Sequence, residues 1–117
     1  MTAALGDTTD YVWRVEQGER EPLDIPVLDN DEPRDVTGWT IDAVIKTEPG
    51  GDVLHTFTPE QITVVSNVVT LTVPGPVSAA WTWTVGWWRV KITPPDSDPD
   101  DPETERIVKG PFLVYRD

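Results

Sequence analysis

One histidine, three scattered serines and a surplus of carboxylates make up nearly all the reactive chemistry in this 117-residue chain. His55 with Ser66, Ser78 or Ser97 and any Asp is formally a hydrolytic triad. None of the serines sits in a nucleophile elbow, and turn hydroxyls ordinarily serve as local hydrogen-bond partners. His55 reads as a partly exposed strand residue. Glycosidase work needs two carboxyls across a sugar cleft, and a chain this small has little structure to spare for cleft walls. Asp96 to Glu103 gathers enough carboxylate oxygen to suggest calcium. It lacks the sixth-position glycine and the distal bidentate glutamate of a calcium loop, and its prolines hold it extended. A solvated acidic tip is the simpler reading. No phosphate loop, dinucleotide fingerprint or histidine-rich metal pattern is present. No catalytic, cofactor-binding or metal-ligating residue is therefore assigned, and the chain reads as non-enzymatic.

The six tryptophans are the remaining chemical resource. Trp81, Trp83 and Trp87 are the three that suggest stacking on sugars, although a small β domain needs most of its tryptophans as core filler. Trp87 and Trp88 are adjacent, so on a strand one must face away from the core. Trp87 is expected to be the outward one, at an interface.

Composition narrows the partners. The formal net charge is −12, and such a surface repels phosphate backbones unless a local basic patch exists. The nine Lys and Arg are scattered, with no run that would make one. No apolar run approaches a membrane span, and the first residues lack the basic start and apolar stretch of a signal peptide. Without cysteine there is neither a disulfide framework nor a thiolate site. Neither nucleic acid nor membrane is expected as a partner, and glycan only as a lesser alternative.

The elements that must position these residues are strands. Twelve prolines break up any helical period, and strand signals recur about every 8–12 residues. Tyr11, Trp13 and Val15 alternate, ending at Gly18. Leu23, Ile25 and Val27 alternate with Pro22, Asp24 and Pro26, so this strand must be an edge or be paired only on the side opposite the prolines. Trp39, Ile41, Ala43 and Ile45 face one way, and Thr40, Asp42 and Lys46 the other. Glu48 to Asp52 is a turn, and Val53 to Phe57 is a short strand. Residues 62–65 and 68–73 form a hairpin about Ser66-Asn67. Residues 77–85 fit either a strand or one to two helical turns, with Ser78 as cap and Val77 stacked on Trp81. Trp88, Val90 and Ile92 point inward from the next strand. Phe112 and Val114 share one face of the last strand, with Leu113 and Tyr115 on the other. Between these two strands lies the acidic, proline-rich loop 93–104. The expectation is one domain over 1–117, an all-β, Ig-like antiparallel β-sandwich of about 7–9 strands.

Three motifs carry a resemblance. A strand closing in Glu16-Gln-Gly-Glu19 leads through Leu23-Asp-Ile25 to Asp35-Val-Thr-Gly-Trp-Thr-Ile41. Gly86-Trp-Trp-Arg-Val-Lys-Ile92 then starts the next-to-last strand, and Gly110-Pro-Phe-Leu-Val114 lies in the closing one. This order resembles β-sandwich domains of phage virion proteins, including LtfC-like domains of actinobacterial phages and the N-terminal domain of baseplate upper proteins. Val36 stands where Leu is common, and Trp88 takes the aromatic position of their Gly-x-Tyr start. The resemblance implies a virion protein that binds by surface complementarity. Length and acidity favour a minor capsid or head-decoration protein on the major capsid protein shell of a tailed phage, assembled in the host cytoplasm, with homo-oligomers on the particle as a further expectation. A tail or baseplate component with host adhesion is the alternative, and a carbohydrate-binding module a third reading.

Overall fold

The computed structural model describes residues 3–4 and 9–116. The strands are β1 (Ala3–Ala4), β2 (Thr9–Asp10), β3 (Trp13–Glu16), β4 (Glu21–Asp29), β5 (Glu32–Pro33), β6 (Thr40–Lys46), β7 (Val53–Thr56), β8 (Ile62–Val65), β9 (Val68–Val73), β10 (Val85–Thr93) and β11 (Glu105–Tyr115). They build two sheets, one ordered β1-β4-β9-β8 with β5 on β4, the other β2-β11-β10-β6-β7 with β3 on β11. The chain is an all-β sandwich, as expected. Eight strands among the described residues have four or more residues, and three have two.

The pairing is not purely antiparallel, which corrects the expectation. β3 runs parallel to β11, from Trp13 opposite Phe112 to Glu16 opposite Tyr115, and β2 and β1 pair parallel to β11 and β4. Parallel neighbours need a long crossover; here the chain between β3 and β11 supplies β4, β5, β8 and β9 of the other sheet and β6, β7 and β10 of the same one, so local patterning held no trace of the pairing. The prolines of β4 behave as expected. Along Glu21 to Pro26 the strand pairs, among the described residues, with β9 alone. Val27 shares the parity of Leu23 and Ile25 and donates its N–H to Asn67 O at 2.7 Å on that side. Pro22 and Pro26 therefore turn their missing donors to the open side.

The two inner faces interlock Val15, Ile25, Val27, Ala43, Ile45, Val69, Leu71, Val73, Trp88, Val90, Ile92, Phe112 and Val114, all buried. Trp13 is the hub of the aromatic core. It stacks on Phe57 at 5.8 Å and meets Trp88 and Phe112 edge-on at 5.1 Å each. The Trp88 indole N–H donates to Tyr11 O at 2.9 Å, which satisfies the one polar group of a fully buried ring.

The motif residues have structural work to do. Asp35 Oδ1 accepts the Thr37 hydroxyl at 2.6 Å and its N–H at 2.9 Å. Those two bonds hold the Asp35 carboxyl below its ordinary pKa, the hydroxyl contributing most. The turn they fix lets Gly38 take φ +83° and drives Val36 into the core, where it is fully buried.

Residues 74–84 resolve the open alternative. A single helical turn spans Gly75–Ala79, starting earlier than the 77–85 considered, and no strand forms before Val85. Ser78 does not cap it, because Pro74 holds that position. Ser78 is instead fully buried, its Oγ accepting the Gly18 N–H at 2.8 Å and donating to Gly75 O. Gln17 Nε2 lies 3.2 Å from Ser78 O and 3.0 Å from Trp81 O, donating to carbonyls at the end of the turn. The Gln17-Gly18 pair thus clamps the turn to the end of β3.

Candidate functional site

The residues of the formal triad do not converge. His55 Nε2 pairs with Gln61 Oε1 at 3.0 Å, and its ring lies edge-on to Phe57 and Trp81. Ser66 occupies the hairpin turn at φ +56°, Ser78 is buried under Gly18, and Ser97 Oγ accepts the Glu103 N–H inside the β10–β11 loop. That loop is closed by its own short-range bonds, Asp98 Oδ1 accepting the Asp100 N–H at 2.9 Å. Among the described residues no group of three or more His, Asp or Glu side chains is placed to hold a metal ion.

The three tryptophans singled out for stacking have different fates. Trp81 and Trp83 stack on each other at 4.5 Å and lean on Phe112, so they extend the core. Trp87 points outward from β10 while Trp88 is fully buried, as the alternation required.

Around Trp87 the sheet assembles what the linear sequence disperses. On the outer face of β10, Trp87, Arg89 and Lys91 follow one another in steps of about 7 Å. In register beside them stand Lys46 across from Trp87 on β6, and Lys109 and Arg106 across from Arg89 and Lys91 on β11. Five of the nine Lys and Arg of the chain thus share one three-stranded face. The expectation that the cations are scattered fails in three dimensions. Simple alternation from Lys109 would turn Ile107 outward and Arg106 inward. A bulge changes this: the register slips between Val90 and Lys91, Ile107 and Val108 are both buried, and Arg106 emerges exposed opposite Lys91.

Asp42, opposite Lys91 on β6, brings an acid into this face. Its Oδ2 lies 3.2 Å from Arg89 Nη1, orienting the guanidinium. Lys109 Nζ sits 5.7 Å from the centre of the Trp87 ring, a cation–π contact. Lys46, Pro49, Gly50, Trp87, Arg89, Lys91 and Arg106 enclose a cavity of about 160 Å³, walled on one side by the β6–β7 turn. A preformed cluster of guanidinium and ammonium donors beside an indole is chemically suited to an anion joined to a flat apolar group. A second cavity, of about 320 Å³, opens between the sheets and is lined by Trp39, Ile41, Phe57, Pro59, Ile62 and Val64. It carries no charged group, and Arg34 lies over the Trp39 ring at 4.7 Å.

No family model and no curated protein matches the chain. Among solved structures, the N-terminal domain of phage TP901-1 ORF48 is similar with a TM-score of 0.59, over 97% of this chain and 93% of that one. The two sequences are 5% identical, so the likeness is one of fold.

Proposed function

We propose that this chain is a non-enzymatic structural component of a tailed-phage particle, placed in the tail or baseplate, where it docks by surface complementarity without turnover. The observation that carries the reading is the agreement of fold with a phage protein's N-terminal domain along nearly the full length of both chains. The motif resemblance to baseplate upper proteins is in keeping with it, since the motif residues are those that shape the sandwich. Gln17-Gly18 holds the helical turn, Asp35 and Thr37 seat Val36, and Gly110 lies against Tyr11. Head decoration on the major capsid protein is the second reading, favoured by the net charge of −12, which suits many copies docking weakly on a basic shell.

Quantitative mass spectrometry of purified particles, with heads and tails separated, tests both. Few copies relative to the shell protein, enriched with tails, is the expected result. A ratio within a few-fold of the shell protein would replace it with head decoration. Absence from particles would overturn both readings.

A further inference from the structure

We propose that the Trp87 face of β6, β10 and β11 binds an anionic sugar unit, a saccharide ring bearing phosphate or carboxylate, with the ring against the indole and the charge held by Lys91, Arg106 and Arg89. The proposal deepens the structural reading above by giving that surface a ligand, and its test is independent of where the chain resides.

Three observations point the same way. The first is the charge arrangement. The register sets Arg89 against Lys109 and Lys91 against Arg106 across the β10–β11 ladder. Like charges directly opposite one another in a sheet are unfavourable. Acids do border the face, Asp42 standing opposite Lys91 on β6 with its Oδ2 3.2 Å from Arg89, and Asp10 lying in register with Lys109 on β2; the cations still outnumber them in the strip formed by Lys91, Arg106 and Arg89. Mixed signs are what solubility alone requires; a concentrated single sign suits capture of an opposite charge.

The second is the aromatic group. Trp87 is half-buried beside these cations. With Lys109 over its ring at 5.7 Å, the indole has its opposite face as the apolar platform for the C–H face of a sugar ring, while the guanidinium groups offer paired donors to a carboxylate or phosphate. Arg89 is held by Asp42, so its planar donors are oriented before a ligand arrives.

The third is size. A cavity of about 160 Å³ is below the roughly 300 Å³ at which pockets for drug-sized ligands begin. The Pro49-Gly50 turn closes one side, so the site receives one unit and does not form a through-groove of the kind that tracks a nucleic-acid strand. Beyond about one Debye length, roughly 8–10 Å, the acidic remainder of the protein opposes an extended polyanion. A single anionic unit inside the patch meets the cations first.

Titration calorimetry with tryptophan fluorescence tests this on the intact chain, using glucose 6-phosphate, glucuronate, glucose, inorganic phosphate, a thymidine oligonucleotide and a glutamate-rich peptide. Saturable binding of glucose 6-phosphate or glucuronate is expected, the tighter of the two naming the anion, with glucose and inorganic phosphate each weaker by at least about tenfold. Trp87→Leu should weaken the sugar anion by about tenfold or more. Lys91→Gln and Arg106→Gln should each weaken it by roughly three- to tenfold, with unchanged near-UV circular dichroism in all three. The proposal is overturned if neither anion binds, or if inorganic phosphate matches the sugar anions. It is equally overturned if Trp87→Leu binds as the parent does, or if the oligonucleotide or peptide binds tighter than either sugar.

Discussion

Gly110→Ala should be strongly destabilising. Gly110 stands opposite Trp88 on β11 at φ +156°. A Cβ there would lie 2.8 Å from the Tyr11 carbonyl carbon and 2.9 Å from its nitrogen, with the Tyr11 oxygen nearer still. Backbone atoms cannot yield as a side-chain tip can, so Tyr11 must move away. Two hydrogen bonds go with it: the Tyr11 N–H to Lys109 O at 2.8 Å, and the Trp88 indole to Tyr11 O at 2.9 Å. Overpacking of this kind costs about 1–3 kcal/mol, and orphaning the donor of the fully buried Trp88 adds about 1–3 kcal/mol. A loss of about 3–5 kcal/mol is expected from the two together. At about 2.1 cal/mol/K per residue of unfolding entropy, that loss lowers Tm by roughly 12–20 °C for a chain of this length. Urea denaturation followed by tryptophan emission, together with calorimetry, measures it. A double-mutant cycle isolates the cause: in a Trp88→Phe background the indole bond is already gone, so Gly110→Ala should cost less by about 1–2 kcal/mol. A destabilisation below about 1 kcal/mol, or strict additivity in the cycle, would refute the reasoning.

Ser78→Ala removes the acceptor for the Gly18 N–H and should cost about 1–3 kcal/mol in denaturant midpoints; an unchanged midpoint would mean that the helical turn is not clamped there. Asp35 has a folded pKa held below its unfolded one, so its contribution to stability is present above the ordinary aspartate pKa and is lost as pH falls through the folded value. Thr37→Val should move the Asp35 carboxyl titration, followed by NMR, upward, and no movement would mean that the hydroxyl is not its stabiliser. Replacing residues 95–103 by a short turn should change unfolding free energy by less than about 1 kcal/mol, since loop length enters closure entropy only logarithmically. A larger loss would show that the acidic loop packs on the sandwich.

What could be read from sequence was whatever two neighbouring residues decide between themselves. Trp87 and Trp88 had to part faces, Ser66-Asn67 had to turn, and Pro22 and Pro26 had to face an unpaired side; the structure agrees on all three. The basic face was hidden because its members lie at 46, 89, 91, 106 and 109 and meet only through strand register. One of them also depends on a bulge that alternation does not announce. The helical turn at Gly75–Ala79 is held from 60 residues away by Gly18 and Gln17, so its position and the burial of Ser78 were not local properties. The alliance of β3 with β11 is the extreme case, joining opposite ends of the described chain.

That alliance has a mechanical consequence. β3 and β11 run in the same direction, paired from Trp13/Phe112 to Glu16/Tyr115, with Val108 and Lys109 further paired to Thr9 and Asp10. Tension applied ahead of Thr9 and beyond Tyr115 pulls the two strands in opposite senses along their own axes. The bonds between them are then loaded side by side in shear, sharing the force, where a hairpin pulled from its open end would unzip them one at a time. Resistance to pulling is governed by the rate of unfolding and not by equilibrium stability. Pulled in this way, the sandwich should resist through the whole ladder and yield abruptly, as one event, when the ladder slips.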